Sequence, residues 1–393
     1  SALGRVEEGP LALQLELGLQ LGQGASVAST AGYGDELVET AFARAQELCR
    51  VLGNPPELFF AVWGSWTYSL VRGNYDAALE LAERLTAMAG SVDDPALSIE
   101  AEAALGITLF YRGELALAAE RLDAAVEQYR SAPVVNPAQQ FQHPAVASLA
   151  NAALVRWLLG DEAAARASID AAVELAESCE PQLRMFARGY AATFGGALGS
   201  LLTDGTFGLQ HAQEAIDVCD EFGSQVFLAG GEMYKGFSQF LIGETDEGRQ
   251  RLDAAAQWYL LTGARLMRPY HLACVARTRA AAGDDAGALD ALDEAVDVAR
   301  ANGERAFLPL VLELRARTRF DANGTHHDEA VADLEAALDI ARGTGDVVTQ
   351  LRSLLALHDR TGTDVSDALG ELLPQLDGSE SLPELDHARR LVG

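Results

Sequence analysis

The chain has 393 residues, 49% of them apolar, with 58 Asp and Glu against 29 Lys and Arg and a formal charge of −29. Such a surface repels nucleic acid, because phosphate binding needs clustered Lys and Arg that release counterions, so no direct nucleic-acid contact is expected. No run of about 18 apolar residues is present, and the start, SALGRVEEGP, lacks the basic and apolar regions of a leader. A cytoplasmic chain without a membrane partner is therefore expected, and its abrupt start fits a segment cut from something longer. Lysine occurs once, at Lys235, a bias towards arginine that suits a GC-rich bacterial coding sequence.

In chain order the elements repeat. Residues 70–85, LVRGNYDAALELAERL, read as the end of one helix, a turn at Gly73 and the start of another. The same phrase returns at Tyr111 (YRGELALAAERL), Leu159 (LGDEAAARASI), Ile242 (IGETDEGRQRL) and Ala282 (AGDDAGALDAL). Just after each turn, a small residue opens the second helix: Ala41, Ala78, Ala118, Ala165, Ala212, Gly248, Ala288 and Ala330, spaced 36 to 47 residues apart. Apolar or small residues four and seven positions on share its helix stripe. Two antiparallel helices approach closely only where one side lacks bulk, which is why Ala or Gly recurs at the crossing. Gly106, Ala153, Gly236 and Ala276, seven residues before a turn glycine, offer the matching small residue, while Trp66 breaks the pattern and predicts local widening. Gly73, Gly113, Gly160, Gly243 and Gly283 read as left-handed C-caps, and Asn74, Glu114, Asp161, Glu244 and Asp284 as favourable to the next helix N-terminus.

A unit of this length made of two helices is the mark of an α-solenoid, since one hairpin lacks a partner for its apolar face and neighbours must stack. The expected fold is all-α, a right-handed α-solenoid of eight hairpins with a weaker ninth around ALGELLPQL. One superhelical domain spans residues 1–377. It is interrupted by an inter-repeat loop over 131–145 and followed by a cap or frayed tail over 378–393. The loop, SAPVVNPAQQFQHPA, reads as a surface insertion, a lid or partner contact being the alternative.

Little in the chain suggests chemistry. The lone lysine sits in EMYKGF, which excludes a phosphate-binding loop. LGLQLGQGASVAS lacks the third glycine and the preceding strand of a dinucleotide fingerprint. No G-x-S-x-G or H-E-x-x-H occurs. HHDE (His326 to Glu329) is the most ligand-like cluster, but no second cluster completes a metal site, so it reads as a solvated helix cap. Cys49, Cys179, Cys219 and Cys274 are far apart and read as reduced core residues. No catalytic residue, metal or cofactor is expected.

These units resemble tetratricopeptide repeats (TPRs) longer than the standard unit. The stretches GYGDELVETAFARAQELCRVLGNPPELFFAVWGSWTYSLVRGNYDAALELAERL, ALGITLFYRGELALAAERLDAAVEQY, HPAVASLANAALVRWLLGDEAAARASIDAAVELA and LTGARLMRPYHLACVARTRAAAGDDAGALDALDEA are similar to the C-terminal repeats of large bacterial signalling proteins. In that family a class III nucleotidyl cyclase domain and a STAND-type ATPase precede the repeats, and related LuxR-type regulators carry a helix-turn-helix instead. The resemblance covers roughly residues 32–303. It implies a sensor or scaffold module attached to an ATPase switch, whose output domains lie outside these residues.

The first helices of such solenoids line the concave surface. Projection from the turn glycines puts Phe60, Trp63, Phe110, Tyr111, Trp157, Met233, Phe237, Phe240, Tyr270 and Arg277 at or near that groove, with packing between repeats as the alternative role for each. Aromatic, Met and Arg residues are the types that anchor partners. The expected function is a non-catalytic sensor or interaction module that binds a peptide, protein partner or small effector in the groove and regulates an attached output domain. The alternative is a structural scaffold that holds a homo-oligomer together without an effector.

Overall fold

The computed structural model describes residues 9–92, 94–133, 142–321, 326–376, 378–379 and 381–393. Each turn glycine reverses the chain between two antiparallel helices. The first helices of the hairpins are α1 (Pro10–Thr30), α3 (Leu58–Val71), α5 (Pro95–Tyr111), α7 (Pro144–Leu158), α9 (Pro181–Leu202), α11 (Gln225–Leu241), α13 (Arg268–Ala281), α15 (Leu308–Asp321) and α17 (Val347–Thr361). Their partners are α2 (Glu36–Val51), α4 (Tyr75–Ala89), α6 (Leu115–Ser131), α8 (Glu162–Ser178), α10 (Gly205–Phe222), α12 (Thr245–Leu261), α14 (Asp285–Asn302), α16 (His327–Thr344) and α18 (Ser366–Leu372). A 3-10 turn (Leu373–Leu376) follows α18, and α19 (Leu385–Val392) comes last, with Leu385 and Ala388 buried. No strand occurs among the described residues. Among the described residues the fold is an all-α solenoid of nine hairpins.

The small-residue stripe is the hairpin contact. All eight opening residues from Ala41 to Ala330 are buried, as are their partners four and seven positions on. One close crossing is Gly236 of α11 over Gly248 of α12. A Cβ on Gly236 would come within 2.6 Å of the Leu252 nitrogen, and one on Gly248 within 2.5 Å of the Gly236 oxygen. The turn glycines all take positive φ, between 75° and 100°. Of the residues that follow them, only the two aspartates cap the next helix. Asp161 and Asp284 cap their helices by accepting from Ala164 N (2.9 Å) and Gly287 N (3.0 Å). Asn74, Glu114 and Glu244 make no side-chain cap, and Glu244 instead takes the Gln239 amide at 2.8 Å. Trp66 turns towards α5, donating from Nε1 to Thr108 Oγ1 at 2.9 Å.

In the expected 131–145 loop, α6 runs to Ser131 and α7 opens at Pro144, and residues 134–141 lie outside the described part. The four cysteines are free and buried. His326 precedes α16 without capping it, its Nδ1 lying 3.1 Å from Glu329 Oε2, and the described residues contain no group of His, Cys, Asp and Glu able to hold a metal ion. No described helix is long and apolar enough to cross a membrane.

Five hairpins complete one superhelical turn, and the next turn lies directly against it. Val71 O, at the end of α3, accepts from Arg265 N (2.7 Å) and Leu266 N (3.1 Å) in the loop before α13. Tyr111 O, at the end of α5, accepts in the same way from Arg305 N (3.0 Å) before α15. Gly160, after α7, accepts from Ser379 Oγ (2.6 Å). At the start of the seam Gly34 and Gly263 touch backbone to backbone, so a Cβ on either would lie within 2.6 Å of the other. The α3 and α5 turns thus dock on the linkers five hairpins later, and the α7 turn on the segment that follows α18.

Candidate functional site

This close winding decides what the first helices face. Seven of the ten expected groove residues lie in the interior: Trp63, Phe110, Tyr111, Trp157, Met233, Phe237 and Tyr270 are each no more than 7% exposed. Tyr111 stacks on Tyr75 of α4 at 5.4 Å, Phe110 meets Phe307 edge-on at 5.7 Å, and Tyr270 bonds Ser200 Oγ at 2.6 Å. The open groove expected from the projection is filled by these contacts, because large side chains on a narrow superhelix reach across its axis and meet one another. Phe60, Phe240 and Arg277 are half-buried. Phe240 and Arg277 share a surface cleft between α11, α13 and α15, with the Arg277 guanidinium 5.0 Å from the Phe237 ring centre.

The axis is not filled everywhere. A cavity of about 100 Å³ remains where the first superhelical turn meets the second. Its walls come from α1, α3, α5, α9, α11, α12 and α13 and the linkers beside them, from Ala28 to His271. Of the expected residues, Met233 lines it. The main lining was not among the residues expected at a site: Trp66, read only as a break in the small-residue pattern, and Tyr190, Phe194, Tyr234, Tyr259 and His271. One signal was available. Phe186, Tyr190 and Phe194 stand four apart in MFARGYAATF and form an aromatic ladder on one face of α9.

The α9 ladder carries one wall. Tyr190 stacks on Phe194 (4.7 Å between centres, 11° between planes), and Phe227 of α11 meets Tyr190 edge-on at 6.1 Å. The polar groups come from α9, α11 and α13. His271 Nε2 lies 3.0 Å from the Tyr234 hydroxyl, while its Nδ1 has no partner. Burial, and then the Arg268 charge, hold the His271 pKa down to about 3, so the ring is neutral. Tyr190 accepts from Asn151 Nδ2 at 2.9 Å. Burial raises the pKa of Tyr190, Tyr234 and Tyr259 above the usual phenol value, so all three keep their protons. Among the described residues the lining contains no Asp, Glu, Lys or Arg. The enclosure is aromatic and uncharged, with a few placed hydrogen-bonding groups, which is the form of a small-ligand pocket.

The fold and this enclosure define a TPR-like helical-repeat protein. The family model described as anaphase-promoting complex subunit 5 matches residues 259–321 and 316–358. No curated protein matches the chain in sequence. Among solved structures the chain is similar to a Rap protein complexed with competence and sporulation factor, at 12% identity and a TM-score of 0.57 over 96% of this chain and 98% of that one. It is similar to NprR in complex with its cognate peptide NprX, at 13% identity and a TM-score of 0.54 over 97% and 98%. A looser likeness joins it to the human IFIT1 dimer with PPP-AAAA, at 15% identity and a TM-score of 0.47 over 91% and 79%. At these identities the likeness shows the fold, a TPR-like solenoid.

Proposed function

We propose that the chain is a non-catalytic, TPR-like regulatory module that takes an effector at its axial cavity and passes the occupancy of that cavity to a protein partner or an attached output domain. The observation that carries this reading is the position of the cavity at the seam between superhelical turns. Its walls belong to both turns, so a ligand's contacts depend on how the turns are spaced. A ligand that prefers one spacing shifts the population towards it by its differential affinity. Rap and NprR, similar in fold, are both described in complexes with a peptide or factor, which supports an effector-binding role. In the longer signalling proteins that the sequence resembles, the output would be an ATPase switch. Within this reading Met233 touches the effector, Phe240 and Arg277 offer a secondary contact in their cleft, and the buried members of the row set the superhelical spacing.

Native mass spectrometry of the purified chain, after mixing with extract of its source organism, tests the proposal. A low-mass adduct on the chain is expected, lost in Thr193→Phe, which places a ring in the cavity, with the helical melt retained. No adduct in the wild type, or an adduct untouched by the substitution, refutes it.

One observation favours a second reading, a self-associating scaffold. Leu11, Leu15 and Leu19 stand four apart on α1 and are 63%, 48% and 57% exposed, with open space beside Gly18 and Gly22. An apolar stripe at the end of a solenoid is where another helix stacks. Light scattering across a concentration series, with the Leu15→Glu/Leu19→Glu pair as control, decides it: a mass that stays monomeric excludes the scaffold.

A further inference from the structure

We propose that the axial cavity binds a small, flat, uncharged molecule carrying a hydrogen-bond acceptor such as a ketone oxygen, an inference that rests on reading the cavity as the effector site. Charge comes first. The chain carries −29, yet among the described residues no ionisable carboxylate, ammonium or guanidinium lines the cavity. An ion entering it would shed its hydration and meet no countercharge.

Shape comes second. The flat Tyr190 and Phe194 faces and the Phe227 edge, with Trp66 and Tyr259 completing the ring of aromatics, suit a planar π system that stacks on faces and receives edges.

The unmatched hydrogen-bonding groups come third, and they have one sense. Tyr234 O–H has two acceptors in range, His271 Nε2 at 3.0 Å and Met267 Sδ at 3.8 Å. An imidazole nitrogen is a much better acceptor than a thioether, so the proton goes to Nε2 and the proton of the neutral ring sits on Nδ1. His271 is 3% exposed and its Nδ1 has no partner. It is therefore a buried N–H donor without an acceptor, a state that burial makes costly. Tyr190 already accepts from Asn151, which leaves its own O–H to donate. Both unmatched groups are donors. A ligand with acceptors satisfies them.

Equilibrium dialysis of the purified chain at pH 7 against three naphthalenes of one shape tests the inference: 2-acetonaphthone, 2-ethylnaphthalene without the acceptor, and 2-naphthoate with a charge. The ketone is expected to bind about three- to tenfold tighter than the ethyl compound, the worth of a neutral hydrogen bond, and at least about tenfold tighter than the carboxylate. His271→Phe should erase the ketone's advantage and leave 2-ethylnaphthalene within about twofold. Tyr190→Phe should reduce the advantage in the same sense and serves if His271→Phe unfolds the chain. Equal binding of ketone and ethyl compound, binding of naphthoate as tight as the ketone, or no binding of any of the three overturns the proposal. Failure of all three while an extract adduct is retained overturns this ligand class and leaves the effector reading standing. Selective ketone binding with no extract adduct supports the ligand class and counts against the effector reading.

Discussion

Replacing Glu304 with Gln should stabilise the protein, and more so as pH rises. Glu304 lies in the linker between α14 and α15, on the seam, and is fully buried. Its Oε2 accepts from Tyr75 Oη on α4 at 2.9 Å, and its Oε1 has no partner. Burial raises its pKa to about 8, against a smaller opposing effect of the Tyr75 hydrogen bond. Below about pH 4.5 the carboxyl is protonated both folded and unfolded, and it costs nothing. Between about pH 4.5 and 8 the unfolded chain releases the proton and the folded chain keeps it, so stability falls by about 1.4 kcal/mol per pH unit. The accumulated cost is about 3 kcal/mol at pH 7 and levels off near 5 kcal/mol above pH 8. Gln keeps the acceptor for Tyr75 and carries no titrating proton. Urea unfolding of both proteins from pH 4.5 to 9 should give curves that coincide at the acid end and diverge by about 3 kcal/mol at pH 7. A difference that is constant across pH, or a variant less stable than wild type at pH 8, would refute the assignment of a buried, protonated carboxyl at the seam.

Gly236→Ala should cost about 1–3 kcal/mol, because the new methyl meets the α12 backbone. Gly22→Ala, on the open face of α1 with nothing within 4 Å, should stabilise by about 0.5–1 kcal/mol, and paired thermal melts compare the two. Asp161→Ala removes a cap bond of 2.9 Å and should cost about 1 kcal/mol. Glu114→Ala, at the equivalent position without a cap, should stay within about 0.5 kcal/mol in the same denaturant assay.

How much of this was legible in the sequence follows from the range of each interaction. Hairpin formation is local. The small residue that opens each second helix and the turn glycine before it lie within a few residues of one another, so their spacing is enough to place the helices, the turns and the buried stripe. Capping was legible only in part. Asp161 and Asp284 reach back to their helices, whereas Asn74, Glu114 and Glu244 at equivalent positions do not.

The superhelical pitch is another matter. It is the sum of small rotations between hairpins, each set by side-chain volumes, and no single phrase of the sequence states it. Only the folded chain shows that five hairpins make a turn and that Tyr111 O meets Arg305 N, 194 positions away. The fate of the aromatic row depends on that pitch. A wide superhelix would have left Trp63, Phe110 and Phe237 facing solvent along a groove, and this narrow one buries them. His271 shows the same division. In the sequence it is one of seven histidines and stands apart from the HHDE cluster. Tertiary packing makes it neutral, leaves its Nδ1 without a partner and places it in the wall of the cavity, because desolvation and enclosure come from residues brought in from α11 and α12, not from its neighbours along the chain.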